Sequence, residues 1–236
     1  MESDDDMPTL SVATLAALQS FKQEEQERIE KFQKLHKSAE EAFESRNNLT
    51  IDDFKEDWQL SQFWYADSTA DTLLDALLEG ATEDTVVCIM SAPSVYAIIN
   101  KRDRSTLPTK HIYLCEYDKR FELLSDKDHF GFYDYNEPEN IRDDLKGNVD
   151  RLLIDPPFLE EECQFKSSQT AKLLLKSAAS KLITCTGERM KDIVLKNYEK
   201  EGVQVTNFFP EHKNGLSNEF RCYSNFDCKL WDRVKD

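Results

Sequence analysis

Asp155-Pro156-Pro157-Phe158 is the stretch of this chain whose residue types and spacing most directly suggest chemistry. The residues before it, Val149 to Ile154, are mostly apolar, a run short enough for a strand buried on both faces. The two prolines must end that strand, because proline cannot extend the ladder. Asp155 therefore belongs at a strand's carboxyl end, the edge of an open parallel α/β sheet where ligands bind. Pro156 has a fixed φ and no N–H, so the Asp155 carboxylate and the neighbouring backbone carbonyls can converge as acceptors around one incoming amino group. Phe158 then supplies a flat apolar wall. The competing reading is a proline-terminated strand that leads into a surface turn.

Four residues make a short motif, and the elements that must position it carry the rest of the argument. Asp84 to Met90 reads as a first strand, running into Ser91-Ala92-Pro93-Ser94 and a helix to about Asn100. In a dinucleotide-binding sheet this turn carries glycines that let the backbone approach the ligand. There are none here, which argues against a nucleotide pyrophosphate, yet Ser91, Ala92 and Ser94 are small enough for a close approach. His111 to Glu116 is a second strand. Glu116 at its tip is placed to grip a ribose diol, whereas Asp118 is better read as a helix N-cap. His129 to Tyr133 is a short third strand leading to Asp134, placed to accept from an exocyclic adenine amine, with Tyr135 beside the ring; an ordinary turn residue is the alternative for Asp134.

Ahead of the sheet, Trp58 to Tyr65 packs four aromatics into eight residues. That density reads either as core packing or as a cover over a cofactor, the second with Gln62 offering amide groups and Trp64 a ring. Ser68-Thr69-Ala70-Asp71 reads as the capped start of a helix lined by Leu73, Leu74, Leu77 and Leu78. Beyond Asp155 we expect a polar loop from Leu159 to Ser168, a helix from Thr170 to Ser177, a strand from Ser180 to Thr186 stopped by Gly187, and a helix from Glu188 to Glu199. Val203 to Phe209 and Glu219 to Phe226 complete the strands, and the loop between them is too short for a crossover helix, so they should pair antiparallel. The expected fold is α/β: a seven-stranded, Rossmann-like sheet of the class I methyltransferase type with an antiparallel final strand, over residues 58–236. Residues 1–57 are expected to form an acidic N-terminal helical extension, with residues 1–8 disordered. The stretch from Ser11 to Arg46 favours helix and carries one apolar stripe, either a docking helix or a solvated helix with a narrow packing face. Asn47 to Thr50 is its linker.

The net charge of −16 divides evenly, with 15 acidic and 7 basic residues in 1–57 and the other −8 in the remainder. Proteins that grip a phosphate backbone normally present basic patches, so the balance disfavours nucleic acid and favours basic or lysine-bearing partners. The six cysteines form no C-x-x-C pair, and Cys88, Cys115, Cys185 and Cys222 fall in the apolar runs read as strands, which fits a reduced intracellular compartment. The four histidines show no metal-ligand spacing and read as surface or strand-end residues, so no metal is expected. No apolar run approaches 18 residues and the acidic start is no signal peptide. The expectation is a soluble, cytoplasmic monomer without a membrane partner.

In order along residues 58 to 226, the segments Trp58 to Tyr65, Ser91 to Tyr96, Glu116 to Phe121, Tyr133 to Asn136, Asp155 to Phe158 and Asn218 to Tyr223 resemble the eukaryotic lysine methyltransferases of translation elongation factor 1-alpha. The Asp-Pro-Pro-Phe motif, shared with amino-directed methyltransferases in general, earlier led that family to be labelled N6-adenine-specific DNA methyltransferases. The glycine-free Ser-Ala-Pro-Ser turn belongs to its pattern; the helical stretch 22 to 48 lies outside the resemblance. What the resemblance implies is a cytoplasmic enzyme that methylates one lysine of elongation factor 1-alpha, up to trimethyllysine, with S-adenosylmethionine as cofactor. Asp155, Pro156, Pro157 and Phe158 would be catalytic. Gln62, Trp64, Ser91, Ala92, Ser94, Glu116, Asp134 and Tyr135, together with Asp155, would hold the cofactor across the strand tips.

The lysine must be neutral to attack, which at pH 7 costs roughly 4 to 5 kcal/mol. Desolvation against Phe158 and Trp64 and the nearby sulfonium lower that cost, while an anionic Asp155 opposes deprotonation, so Asp155 is assigned to orienting the amine and the proton to water. Arg221 reads as a structural ion pair. Two other classes remain open: an N6-adenine methyltransferase acting on DNA or RNA, and a non-catalytic binding module with a methyltransferase fold.

Overall fold

The computed structural model describes Gln23, residues 49–216 and residues 219–234. The chain divides into two compact units, Met1–Asn47 and Asn48–Asp236, and the account below concerns the second. The N-terminal helix expected from the sequence lies outside the described residues.

Seven strands form one sheet: β1 (Val87–Met90), β2 (Ile112–Glu116), β3 (Phe130–Phe132), β4 (Arg151–Ile154), β5 (Lys181–Gly187), β6 (Gln204–Val205) and β7 (Phe220–Ser224), in the order β3-β2-β1-β4-β5-β7-β6. The first five run parallel, and β7 lies antiparallel between β5 and β6. Four helices accompany them: α1 (Asp67–Leu78), α2 (Pro93–Lys101), α3 (Glu161–Leu174) and α4 (Lys191–Asn197). Alternation along β1, β2 and β4 sorts the core into two layers. Val87, Ile89, Leu114 and Leu153 pack with the residues of α1 and α2, while Cys88, Met90, Cys115, Leu152 and Ile154 pack with α3 and α4. Both faces are covered, which is why these strands read as continuous apolar runs.

The strand order reverses between β1 and β4, whose ends Met90 and Ile154 are in register. Such a switch point opens a crevice at the carboxyl ends, and Ser91 and Asp155 are the first residues past it on either side. The Asp155 N–H donates to the Met90 carbonyl at 3.1 Å and the Ser91 N–H to the Cys115 carbonyl at 2.9 Å, so the last rungs of the sheet hold both residues.

Several boundaries differ from the sequence expectation, each for a physical reason. Ile51 and Phe54 are buried in the core, so the packed body includes residues 49–57, which were expected in the extension. Helix α1 starts at Asp67 with no capping side chain; the loop after β6 holds it instead, through Ala66 N–H to Glu211 O and Glu211 N–H to Thr69 Oγ1. Helix α3 starts at Glu161, inside the expected loop, and ends at Leu174. Glu161 and Glu162 suit the positive end of a helix, and its buried face is made of Cys163, Gln164, Ser167, Ser168, Thr170, Ala171 and Leu174, mostly small or polar residues that an apolar pattern does not reveal. Strand β6 stops at Val205 because the chain's end pairs there: Val234 N–H donates to Val205 O, and Trp231 stacks on Phe208. Gly187 extends β5 rather than stopping it, pairing with Phe220.

Candidate active site

A cavity of about 500 Å3 opens at the switch point, within the range usual for small-molecule sites. All twelve residues singled out from the sequence line it: Asp155 to Phe158 from the tip of β4, Ser91, Ala92 and Ser94 from β1–α2, Glu116 from β2, Asp134 and Tyr135 from the end of β3, and Gln62 and Trp64 from the segment before α1. The parallel sheet explains the convergence of the ten that were read at or just past the carboxyl ends of strands; Gln62 and Trp64 reach it from the segment ahead of the sheet.

Ser91 has φ 55° and Ser61, also on the cavity wall, φ 54°; among the described residues no other non-glycine has positive φ. The left-handed region costs an L-residue roughly 1 to 2 kcal/mol, and such strain gathers at functional sites. Ser91 thus supplies by strain the backbone turn that glycine supplies in dinucleotide-binding sheets.

Two carboxyls dominate the electrostatics. Burial lifts Asp155 to about 7 and Glu116 to about 7. Glu116 Oε1 accepts from the N–H groups of Tyr117 and Asp118 at 2.9 and 3.2 Å, which opposes the lift without cancelling it. Removing a carboxylate from water disfavours its charge, so each is poised to ionise when a cation enters. Asp134 Oδ1 accepts from the Asn136 N–H at 2.8 Å, and Asp118 caps the short 3-10 helix Lys119–Leu123 as expected. Tyr135 meets Phe158 edge-on at 5.8 Å, forming an apolar wall beside Asp155.

Gln62 and Trp64 differ from expectation in what their polar atoms do. The Gln62 amide donates to Asp118 Oδ2 and accepts from Asp57 N–H and Arg120, as a buried amide must be satisfied by the protein. It ties its segment to the turn after Glu116 rather than presenting a free amide. Trp64 donates through Nε1 to Phe54 O and its ring packs on Phe121, so it borders the cavity as part of the core. Arg221 pairs with Glu188 and lies over the Phe209 ring, the structural role expected of it.

Three residues at the site escaped sequence reasoning. His212 was expected at the surface; its ring lies 4.7 Å from that of Tyr65 and 4.6 Å from that of Phe220, lines the cavity, and is pushed down to about 4 by burial. Gln164, 2% exposed, donates to the Phe158 carbonyl and to Thr186 Oγ1, pinning the loop after Asp155. Tyr65, buried beneath the cavity, faces Asp155. For Gln164, a polar side chain inside a helical pattern is the signal that could have flagged it; His212, in a polar loop, carried none.

A family model described as probable N6-adenine methyltransferase matches residues 56–228. The chain is 56% identical over 214 residues to protein-lysine N-methyltransferase EFM5 of Saccharomyces cerevisiae, covering 81% of this chain and 86% of that protein. It is 37% identical over 228 residues to human EEF1A lysine methyltransferase 1, covering 96% of each. Among solved structures, a branched-chain polyamine synthase from Thermus thermophilus superposes with a TM-score of 0.54 at 11% identity, over 84% of this chain and 67% of that one, a likeness of fold alone. A match that spans every strand-tip loop of the cavity, with relatives aligned over nearly their full length, places the chain in the family of eukaryotic protein-lysine N-methyltransferases that includes EFM5 and EEF1A lysine methyltransferase 1.

Proposed function

We propose that this chain methylates a lysine of translation elongation factor 1-alpha, with S-adenosylmethionine as methyl donor bound in the switch-point cavity. The observation that carries the reading is Asp155: a buried carboxyl lifted to about 7, at the tip of β4, walled by Phe158 and Tyr135. The cofactor's fit rests on the lining. Glu116 keeps Oε1 on its own turn and offers its second oxygen to a ribose hydroxyl. Asp134 is the acceptor for the adenine amine, and the strained Ser91 turn with Ala92 and Ser94 lets backbone approach the methionine end. Once bound, the cofactor supplies an electrophilic methyl on a sulfonium.

This chain's residues do the rest by positioning the amine and moving its proton. Asp155 accepts a hydrogen bond from the incoming lysine, while Pro156 and Pro157 keep competing donors away. Transfer of a proton from a lysine near 10.4 to an ordinary aspartate is uphill by more than six pKa units; to a carboxyl near 7 it is uphill by about 3.4. A carboxyl lifted by burial narrows that gap, which favours Asp155 over water as the first acceptor of that proton. Phe158 and Tyr135 exclude water from the amine, which itself favours the neutral form.

The charge of −16 supports a lysine-bearing protein over nucleic acid as substrate. Incubation with radiolabelled S-adenosylmethionine and either purified elongation factor 1-alpha or DNA and RNA tests the choice. Label is expected in the protein at a lysine; label in nucleic acid alone would overturn the reading and restore adenine as the target. No described helix is long and apolar enough to cross a membrane. The cytoplasm, where elongation factor 1-alpha works, is the proposed location, and the proposed functional unit is a monomer.

A further inference from the structure

Tyr65 takes part in none of the steps above, yet its placement is unusual. It is 1% exposed, and its hydroxyl faces the Asp155 carboxylate at the tip of β4 and the Cys185 thiol on β5 without closing a well-formed hydrogen bond to any group. A buried unpaired hydroxyl is destabilising, and native structures hold few. Everything else about the residue is fixed. Its main chain bridges His212 antiparallel, its N–H donates to Ser94 Oγ at 3.4 Å, and its ring packs on the His212 ring. The neighbouring residues are tied to the same loop, through Lys213 N–H to Trp64 O and Ala66 N–H to Glu211 O, both at 2.8 Å. Segments far apart in sequence therefore hold one donor against one carboxyl.

The other titratable groups that act on or beside Asp155 are Glu116 from β2, Cys163 from α3 and Cys185 from β5. None of these is a cation, and burial pushes both thiols up, so they give the Asp155 anion little help. The phenol is the strong donor in the set. We propose that Tyr65 is a positioning residue for Asp155: its hydroxyl donates to the carboxylate in the amine-accepting state, fixing which oxygen faces the lysine and favouring the charged form. This rests on the reading of Asp155 as the amine acceptor.

Tyr65→Phe keeps the ring, its contact with His212 and the main-chain bridge, and deletes the hydroxyl alone. With the full-length protein, two measurements are needed: thermal melting without ligand, and methylation of elongation factor 1-alpha from pH 6 to 9. The free variant should melt roughly 2 to 4 °C higher, because an unpaired buried hydroxyl has gone. Its kcat should fall about 10-fold or more, with the KM for cofactor within about twofold, since Tyr65 does not line the cavity. The acid limb of its rate profile should move to higher pH, because in the amine-accepting state Asp155 has lost the hydroxyl that favours its charged form. An acid limb that stays in place overturns the proposal, whatever the melting temperature does. Asp155→Ala run alongside separates the two ideas: if it is inactive while Tyr65→Phe is unchanged, the role of Tyr65 alone fails, and if it is fully active, both fail.

Discussion

Cofactor binding should expel protons from this protein, and their number follows from Glu116 and Asp155. Burial lifts both carboxyls to about 7 in the free protein. At pH 6 each is then roughly nine-tenths protonated, at pH 8 roughly one-tenth. A ribose diol needs Glu116 as an acceptor anion, and a sulfonium beside Asp155 draws that carboxyl the same way, so binding lowers both pKa values. The free state then holds more protons than the complex, and affinity must improve as pH rises to about 7 and level off above it. If both groups ionise on binding, close to 1.8 protons leave at pH 6 and about 0.2 at pH 8. The dissociation constant is then about 100-fold weaker at pH 6 than at pH 8, about 10-fold from each group. Calorimetric titration with S-adenosylmethionine in buffers of different ionisation enthalpy reads the proton count directly. In Glu116→Gln the count at pH 6 should drop by about 0.9, and the difference from wild type cancels any proton the cofactor's own amine exchanges. Identical heats in all buffers at pH 6 would refute the view that these buried carboxyls await a cation.

The same two groups set how the free protein responds to pH. Their folded pKa values lie above the unfolded ones, so the native state holds extra protons between about pH 4 and pH 7, and the stability they contribute is lost as pH rises through that window. Urea melts across the window should show this fall, and Asp155→Asn should flatten it. At Ser91, φ 55°, valine is expected to destabilise by roughly 1 to 2 kcal/mol whereas glycine should hold or raise the melting temperature, which scanning calorimetry on the two variants will check. Arg151, buried on β4, donates to the carbonyls of Leu77 and Glu79 at 2.9 and 2.6 Å and so closes the end of α1. Arg151→Met should cost roughly 1 to 3 kcal/mol by leaving them unpaired, seen as an earlier midpoint in denaturant.

Much of this arrangement was legible in the sequence because a parallel sheet turns one-dimensional order into a shared edge. Met90, Glu116 and Ile154 each end an apolar run, and the residues just past such ends must meet at one rim once the strands align. The antiparallel last strand followed from loop length alone. What could not be read was decided by contacts between distant segments. Nothing near Tyr65 announces that it will bridge His212, 147 positions later. Helix α3 hides its buried face in serines, a threonine and Gln164: Gln164 donates to Phe158 O and Thr186 Oγ1, Thr170 to Pro138 O and Ser168 to Phe165 O. β6 looked long because Thr206 to Phe209 is a good strand sequence, and the pairing it lost went to residues 231–234. The Trp64 indole needed an acceptor, and Phe54 O, in a segment taken for a linker's neighbour, provided it.

Mass spectrometry of elongation factor 1-alpha after incubation with S-adenosylmethionine and either the wild-type protein or Asp155→Ala tests the account at its centre. The wild type should add methyl groups to one lysine, and the variant should leave that lysine bare while still binding the cofactor. Methylation of the same lysine at the wild-type rate by Asp155→Ala would contradict the account.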